Sequence, residues 1–192
     1  MGYNFFAYLS RMKYIERWSL MRSTERENIM EHSAQVAQLA HALAVINNRV
    51  FGGNASPDRA AALAVFHDAS EVITGDLPTP IKYYNSRIND AYKELETVAS
   101  DKLISMLPQE LKSDYSAILN QDANSPEYAF VKAADKLAAY IKCIEEIKSG
   151  NKEFVKAHKA TQAAVEESEL KEVKYFADNF LQGFALTLDE LD

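Results

Sequence analysis

With 192 residues, 47% of them hydrophobic and 26% charged, the chain is long enough to fold as one domain around a real core. A net charge of −7 and a pI near 5.2 exclude a general attraction to nucleic-acid backbones or anionic membranes, although a metal and a few local cations could still attract a small anionic substrate. Six glycines and five prolines supply too few turns for an all-β fold, and a single cysteine, Cys143, excludes an internal disulfide framework.

The opening segment, MGYNFFAYLSRMKYIERWSLMR, is aromatic but reaches Arg11 and Lys13 too early for the apolar stretch of a signal peptide. No apolar run approaches membrane-spanning length, so a cytoplasmic location is expected, in keeping with the lone cysteine. Phe5, Leu9, Met12 and Ile15 recur at helical spacing and predict a first helix over about residues 4–21. The polar stretch Arg22–Asn28 breaks it. A second helix is predicted over about residues 30–47, with Val36, Leu39, Leu43 and Ile46 on one face and His32 in line at its start. After the Phe51–Asn54 loop, Ser56-Pro57-Asp58 combines an N-cap serine, a first-position proline and a first-turn acid. The helix it starts is rich in alanine and is expected to carry His67, Asp68 and Glu71 as far as Gly75, a residue suited to a left-handed cap.

Asp76-Leu77-Pro78-Thr79-Pro80 is expected to be irregular, because each proline restricts itself and the residue before it. A long helix from Lys82 or Ser86 to Met106, a shorter one from Pro108 to about Asn120, and a capped helix from Ser125-Pro126 to Gly150 follow. The remainder reads as one or two amphipathic helices through Phe154 and Val165 to Phe180, then a short extended tail. No segment alternates cleanly with period two, and neither repeat nor linker divides the chain. The expected fold is all-α, a single helical domain over residues 1–192.

Chemistry concentrates in VFHDASEVITGD, where His67 and Asp68 adjoin, with His32 upstream in NIMEHSAQVAQLAHAL and Asp135 downstream in FVKAADKLAAYIKCIEE. These residues stand on segments that are otherwise apolar on the facing side. A polar group on such a stripe is costly unless satisfied, and two imidazoles with two carboxylates satisfy one another through a divalent cation. Mixed imidazole and carboxylate sets suit Mn, Co, Fe, Ni or Zn, whereas Mg²⁺ sites more usually consist of carboxylates and water. Adjacent residues on a helix point about 100° apart, so His67 and Asp68 share an ion only at a seam between helices. A plainer reading stays open for each. A lone histidine at a helix start is usually satisfied or exposed, as His41 and His158 are expected to be, and a helical aspartate is usually solvated. Asp135 resists that reading, with Val131, Ala134, Leu137, Ala138 and Ile141 around it.

His…His-Asp…Asp in this order on successive helices resembles the signature of the HD-domain metal-dependent phosphohydrolases. Closer still, IERWSLMR, NIMEHS, FHDASEVITGDLPTPIKYYN and VKAADKLAAYIKCIEE are similar to segments of the bacterial HD-domain 5′-deoxynucleotidases. The resemblance runs from about residue 4 to the C-terminus, is specific over residues 28–85 and around Asp135, and is looser toward the end of the chain. It implies one HD-domain bundle with its metal and catalytic core at about residues 28–145, and helices at about 151–182 completing either the core or a dimer interface. It also implies removal of phosphate from deoxyribonucleoside 5′-monophosphates, in preference to ribonucleotides and 3′-monophosphates, by a homodimer using Co²⁺ or Mn²⁺, with Zn²⁺, Fe²⁺ or Ni²⁺ as alternatives. Neither polymeric nucleic acid nor a membrane is an expected partner.

Matched motif by motif, the resemblance implies that His32, His67, Asp68 and Asp135 bind the metal. Arg17 and Trp18, with Asp76, Leu77, Pro78 and Thr79, would hold substrate, to which His32, Asp68 and Asp135 would also be presented. Glu71 would be the catalytic acid or base, with Arg17 assisting. The residue types suit these roles. Arg17 offers a planar fork for phosphate oxygens, and Glu71 lies four residues after His67, on the same face of a helix. Trp18, the only tryptophan, would press an apolar surface on the sugar; a ribose 2′-hydroxyl there would lose its water partner at about 1–3 kcal/mol. Core packing, a solvated arginine, a surface glutamate and an ordinary connecting loop are the competing structural uses, and Lys82 is a second phosphate candidate.

Three other functions compete. Another HD phosphohydrolase, acting on nucleoside triphosphates, cyclic dinucleotides or an alarmone, would call for more cations than stand near these motifs. A nucleotide-binding regulator without turnover would be expected to lack Glu71 or a ligand, and a helical adaptor leaves the polar residues on apolar faces unexplained. Tyr175, Phe176 and Phe180 would either supply the dimer interface or close the core.

Overall fold

The computed structural model describes residues 2–82 and 84–191. In chain order the helices are α1 (Phe5–Leu9), α2 (Ile29–Val50), α3 (Pro57–Val65), α4 (Glu71–Thr74), α5 (Thr79–Lys82), α6 (Ser86–Ser105), α7 (Lys112–Leu119), α8 (Pro126–Lys148), α9 (Val155–Glu166) and α10 (Lys171–Phe180). Among the described residues there is no strand, only an isolated antiparallel bridge between Glu16 and Asn28. The all-α expectation holds.

Local chemistry sets the three central helices. Asn28 Oδ1 accepts from the N–H groups of Met30 and Glu31 at 3.1 and 3.0 Å, and the Glu31 carboxylate accepts from the Asn28 N–H at 3.4 Å. This reciprocal cap satisfies donors that the first turn of α2 leaves free. Ser56 and Ser125 cap α3 and α8 in the expected way, each followed by proline, with Oγ accepting from Arg59 N–H at 3.3 Å and Tyr128 N–H at 3.1 Å. The three helices then bury Val36, Leu39, Leu43, Leu63, Val131, Leu137 and Ile141 against one another. Each such side chain contributes about 1.5–3 kcal/mol by leaving water.

Helices α9 and α10 close this core with Val165, Val173 and Phe176, and Tyr175 packs against it, so this part of the chain completes the core; Phe180 is the exposed member of that trio. A smaller core gathers Phe5, Leu9, Met12, Ile29, Ala69, Leu103 and Leu107 beneath the N-terminus. The tail is not extended throughout, since Leu181–Ala185 and Leu188–Glu190 form 3₁₀ turns.

The first helix is much shorter than its periodicity predicts. It passes into a 3₁₀ turn at Ser10–Tyr14 and gives way to extended chain at Ile15. Two backbone bonds, Ile29 N–H to Ile15 O at 3.0 Å and Arg17 N–H to Glu27 O at 2.8 Å, then tie this segment to the start of α2. Pairing across the bridge replaces the helical bonds that residues 15–21 would have made. Trp18 adopts φ 57, a left-handed conformation rare for a bulky residue, at a cost of about 1–3 kcal/mol.

The loop beyond Trp18 is fastened by Glu146, only 1% exposed. Its carboxylate accepts from Thr24 N–H at 2.8 Å, Glu25 N–H at 3.2 Å, Asn151 Nδ2 at 2.7 Å and Lys142 Nζ at 2.6 Å. Burial opposes its charge, but these donors hold its pKa at about 2. Replacing it by alanine leaves Lys142 buried without a counter-charge, so Glu146→Ala should lose about 3–5 kcal/mol in urea denaturation at neutral pH. Because the folded pKa lies below the ordinary 4.5, this contribution is complete above about pH 4.5 and fades as pH falls toward 2. The gap between wild type and variant should shrink over that window.

Candidate active site

The helix expected to run to Gly75 breaks at Val65 because side chains take its carbonyls. Gln121 Nε2 donates to Leu63 O at 2.9 Å, and His67 Nδ1–H donates to Ala64 O at 2.7 Å. Both oxygens would otherwise serve the next α-helical turn. The backbone changes to tighter bonds, with His67 N–H reaching Ala64 O, Ala69 N–H reaching Phe66 O and Glu71 N–H reaching Asp68 O. At three residues per turn, side chains three apart eclipse. Phe66, Ala69 and Val72 accordingly share the small core, and His67 and Asp68 turn toward α2 and α8. Glu71 therefore aligns with Asp68, and the four-residue helical spacing from His67 does not apply. Gly75, at φ 73, ends α4 as expected.

The sequence-predicted ligands meet here. His32 Nε2 lies 3.1 Å from Asp135 Oδ1 and 3.8 Å from Asp68 Oδ2, and His67 Nε2 lies 3.1 Å from Asp68 Oδ2. One donor atom from each of His32, His67 and Asp135 falls within 4.8 Å of the others. Burial works against both aspartate charges, but the imidazoles outweigh it: Asp68 is lowered to about 2, and Asp135, bonded to His32, is lowered as well. Burial likewise works against the His32 cation, yet its hydrogen bond to Asp135 and the nearby carboxylate of Glu27 raise its pKa.

His67 supplies the test of whether these residues fit a cation. With Nδ1–H committed to Ala64 O, Nε2 is the lone-pair nitrogen of the neutral ring, and it is buried with no hydrogen-bond partner of its own. It faces an ionised carboxylate oxygen, an unfavourable pairing of acceptors unless a positive charge joins them. Two imidazole nitrogens with two carboxylates are a donor set for borderline divalent metals, and the residues fit one.

Arg17 stands beside this cluster, its Nη1 3.7 Å from Asp68 Oδ2, with only 14% of its side chain exposed. Trp18 is half-buried, its ring centroid 5.3 Å from that of Phe154. Both are joined to the cluster by Glu27, a residue the sequence patterns did not single out. Glu27 Oε2 accepts from Trp18 Nε1–H at 3.0 Å and lies 3.5 Å from Arg17 Nε, while Oε1 lies 3.4 Å from His32 Nδ1. Its only mark in the sequence is its place just before the Asn28 cap, and helical spacing rules give that place no weight.

Glu71 is buried, and its Oε2 has no hydrogen-bond partner. Burial first, then the negative charges of Asp68 and Asp76, push its pKa up to about 10. Asp76 is half-buried and raised by burial, with Arg17 acting the other way. Leu77 and Pro78 are half-buried and Thr79 is exposed; among the described residues no hydrogen bond links these three to the histidines. Thr79-Pro80 is not irregular, because it opens the single turn α5. Lys82, at its end, reaches Glu96 at 2.9 Å and lies over the Tyr92 ring at 4.6 Å, so it is engaged with α6. His41 is exposed and His158 packs against Tyr140, as bystanders would.

This bundle is that of the HD-domain phosphohydrolases. A member from Listeria innocua superposes with a TM-score of 0.82 at 25% identity, covering 96% of this chain and 90% of that one. The chain belongs to the family described as 5′-deoxynucleotidase YfbR-like, which it matches over residues 4–184. Proteins named 5′-deoxynucleotidase from Photobacterium profundum and Escherichia coli are 51% and 50% identical to it, covering 98% of this chain and 97% and 95% of theirs. An HD phosphohydrolase of cyanophage S-2L, solved with dA and one catalytic Zn²⁺, shares the fold at a TM-score of 0.61 and 17% identity over 92% of this chain and 96% of that one. Among the described residues no helix is long and apolar enough to cross a membrane.

The Glu71 environment has a measurable consequence. An unfolded chain releases this proton near pH 4.5, whereas the folded, chelated protein keeps it to about pH 10. The native state then binds the extra proton, so stability from this group falls as pH rises through that window. Glu71→Gln keeps the shape and removes the titration. In thermal melts of chelated protein, the stability of the variant relative to wild type should grow from pH 5 to pH 9; a constant difference would mean that the Glu71 carboxylate ionises freely.

Proposed function

We propose that the chain is a metal-dependent phosphomonoesterase that converts deoxyribonucleoside 5′-monophosphates to deoxyribonucleosides and phosphate, selecting against ribonucleotides and 3′-monophosphates. The observation that carries this reading is the buried His67 Nε2, held toward Asp68 beside His32 and Asp135. Identity of 50% and more with proteins named 5′-deoxynucleotidase, over nearly the whole chain, supports the substrate class. His32, His67, Asp68 and Asp135 are the ligands, with Co²⁺ or Mn²⁺ as the preferred ion and Zn²⁺, Fe²⁺ or Ni²⁺ chemically compatible. A cation bound there would lower the pKa of a coordinated water and neutralise charge on the phosphoryl group.

The chain's own groups divide the remaining work. Arg17, pre-set by Glu27 and the backbone bridge, presents its guanidinium to phosphate oxygens. Glu71, packed under the cluster, accepts the proton of the attacking water or gives one to the departing 5′-oxygen. Asp76, with Leu77, Pro78 and Thr79, forms the substrate loop, which Tyr92 supports by donating from its hydroxyl to Gly75 O at 3.3 Å. Trp18 lies against the sugar and disfavours a 2′-hydroxyl. The same reading includes a homodimer, carried by the resemblance to the family, and a cytoplasmic location, which suits the single free Cys143.

Chelated protein given back Co²⁺, Mn²⁺, Mg²⁺ or Zn²⁺ separately should release phosphate from dAMP far faster than from AMP, dATP or 3′-dAMP, and most with Co²⁺ or Mn²⁺. Preferential turnover of dATP would move the protein to another HD phosphohydrolase activity, and metal binding without any release would make it a nucleotide-binding regulator. Trp18→Ala should reduce the ratio of dAMP to AMP hydrolysis by roughly one order of magnitude, the lower end of the cost of an unsatisfied hydroxyl. An unchanged ratio would remove Trp18 from sugar recognition.

A further inference from the structure

Glu27 touches both halves of the candidate site. One carboxylate oxygen lies 3.4 Å from His32 Nδ1, while the other accepts the Trp18 indole N–H at 3.0 Å and lies 3.5 Å from Arg17 Nε. Its backbone carbonyl accepts Arg17 N–H at 2.8 Å, and only 12% of its side chain is exposed. We propose that Glu27 is a positioning residue that couples the ligand His32 to the substrate-holding pair Arg17 and Trp18, an inference that rests on the assignment of His32 as a metal ligand.

The coupling follows from the valence of the imidazole. A ring that ligates through Nε2 must carry its proton on Nδ1, and the carboxylate facing Nδ1 fixes that tautomer and the orientation of the ring. At 3.4 Å the contact is longer than an ordinary hydrogen bond, so ligation leaves room for it to tighten. Movement of Glu27 toward His32 draws on the oxygen that holds Trp18 and Arg17. Trp18 responds readily, because its left-handed backbone persists only while its surroundings enforce it, and the indole bond to Glu27 is one such restraint. Glutamine has nearly the same shape but one acceptor oxygen. Whichever way its amide turns, an NH₂ group faces either the imidazole N–H or the indole and guanidinium donors.

The only tryptophan in the chain is Trp18, so its emission reports on this one place. Zn²⁺ has a filled d shell and serves as the probe, its affinity measured separately by competition with a chromophoric chelator. In wild type, Zn²⁺ should shift Trp18 emission with the midpoint found by competition. Glu27→Gln should bind Zn²⁺ about tenfold more weakly, lose the emission response, and show a raised KM for dAMP. Arg17→Lys and Trp18→Phe should raise that KM without weakening Zn²⁺ binding, because they release Glu27 toward His32. Circular dichroism and melting temperature check the fold of each variant. Glu27→Asp, which keeps the charge but is too short to span both contacts, should show the same paired loss if the amide proves disruptive. Wild-type Zn²⁺ affinity in Glu27→Gln, or Trp18 emission unmoved by Zn²⁺ that is demonstrably bound, would overturn the coupling and leave the metal site standing. Wild type that binds no Zn²⁺, Co²⁺ or Mn²⁺ would overturn the metal site and the coupling together.

Discussion

The hydrogen bond from His67 Nδ1 to Ala64 O organises the site. It fixes the tautomer of the ring, which turns the Nε2 lone pair toward Asp68, and it takes a carbonyl that the helix needs in order to continue. A stretch of tighter turns follows, in which Phe66, Ala69 and Val72 fall into register as an apolar edge. Burying that edge against Phe5, Leu103 and Leu107 offsets the lost helical bonds. This side-chain bond therefore sets the aim of the imidazole and, together with the Gln121 bond to Leu63 O, breaks the helix and lets the segment anchor in its own small core.

The opposite wall of the site is assembled from a loop that has little core of its own. Residues 15–29 cross back on themselves through the Glu16–Asn28 bridge, and the carboxylate of Glu146 gathers the backbone N–H groups of Thr24 and Glu25 from beyond the loop. These polar anchors hold Trp18 in a conformation that its own backbone disfavours. Strain of this kind persists only where the surrounding contacts over-determine it, and here the Glu27 carboxylate holds the indole N–H while the Phe154 ring packs against the indole. The loop is thus placed mainly by polar anchors, with Trp18 packed on Phe154, whereas α2, α3 and α8 are placed by apolar burial.

That division explains what could be read from the sequence. Periodic apolar residues announce α2, α3 and α8, reinforced at α3 and α8 by serine caps followed by proline, and with them come the positions of His32 and Asp135, because short-range rules govern these elements. The early end of the first helix was not legible, since Ile15 and Arg17 find partners at Ile29 and Glu27, and pairing of that kind leaves no local pattern. The break after Val65 was equally hidden, because one of its two causes, Gln121, lies 58 residues away. Glu27 escaped notice for the same reason: its importance comes from three neighbours brought together by the loop. His32 and Asp135, on α2 and α8, could be found by spacing, whereas Arg17, Trp18 and Glu27 on the loop could be found only through resemblance or geometry.

The charge balance of the site gives these placements a chemical direction. Asp68, Asp135, Glu27, Glu71 and Asp76 converge around Arg17, whose charge favours the ionised form of Glu27, Glu71, Asp76 and Asp135 and which lies 3.7 Å from Asp68 Oδ2. With protein groups alone, the excess of carboxylates is relieved by protons: His32 is raised toward its cation, and Glu71 holds its proton to about pH 10. A divalent ion among His32, His67 and Asp135 would relieve the same excess, and so would compete with both protons. Bringing a phosphate dianion to a surface this acidic requires that added positive charge, because Arg17 is already shared with Glu27 and Asp68. Metal binding, proton release and acceptance of an anionic substrate are then linked through one local sum of charges, in a protein whose overall charge would repel that substrate.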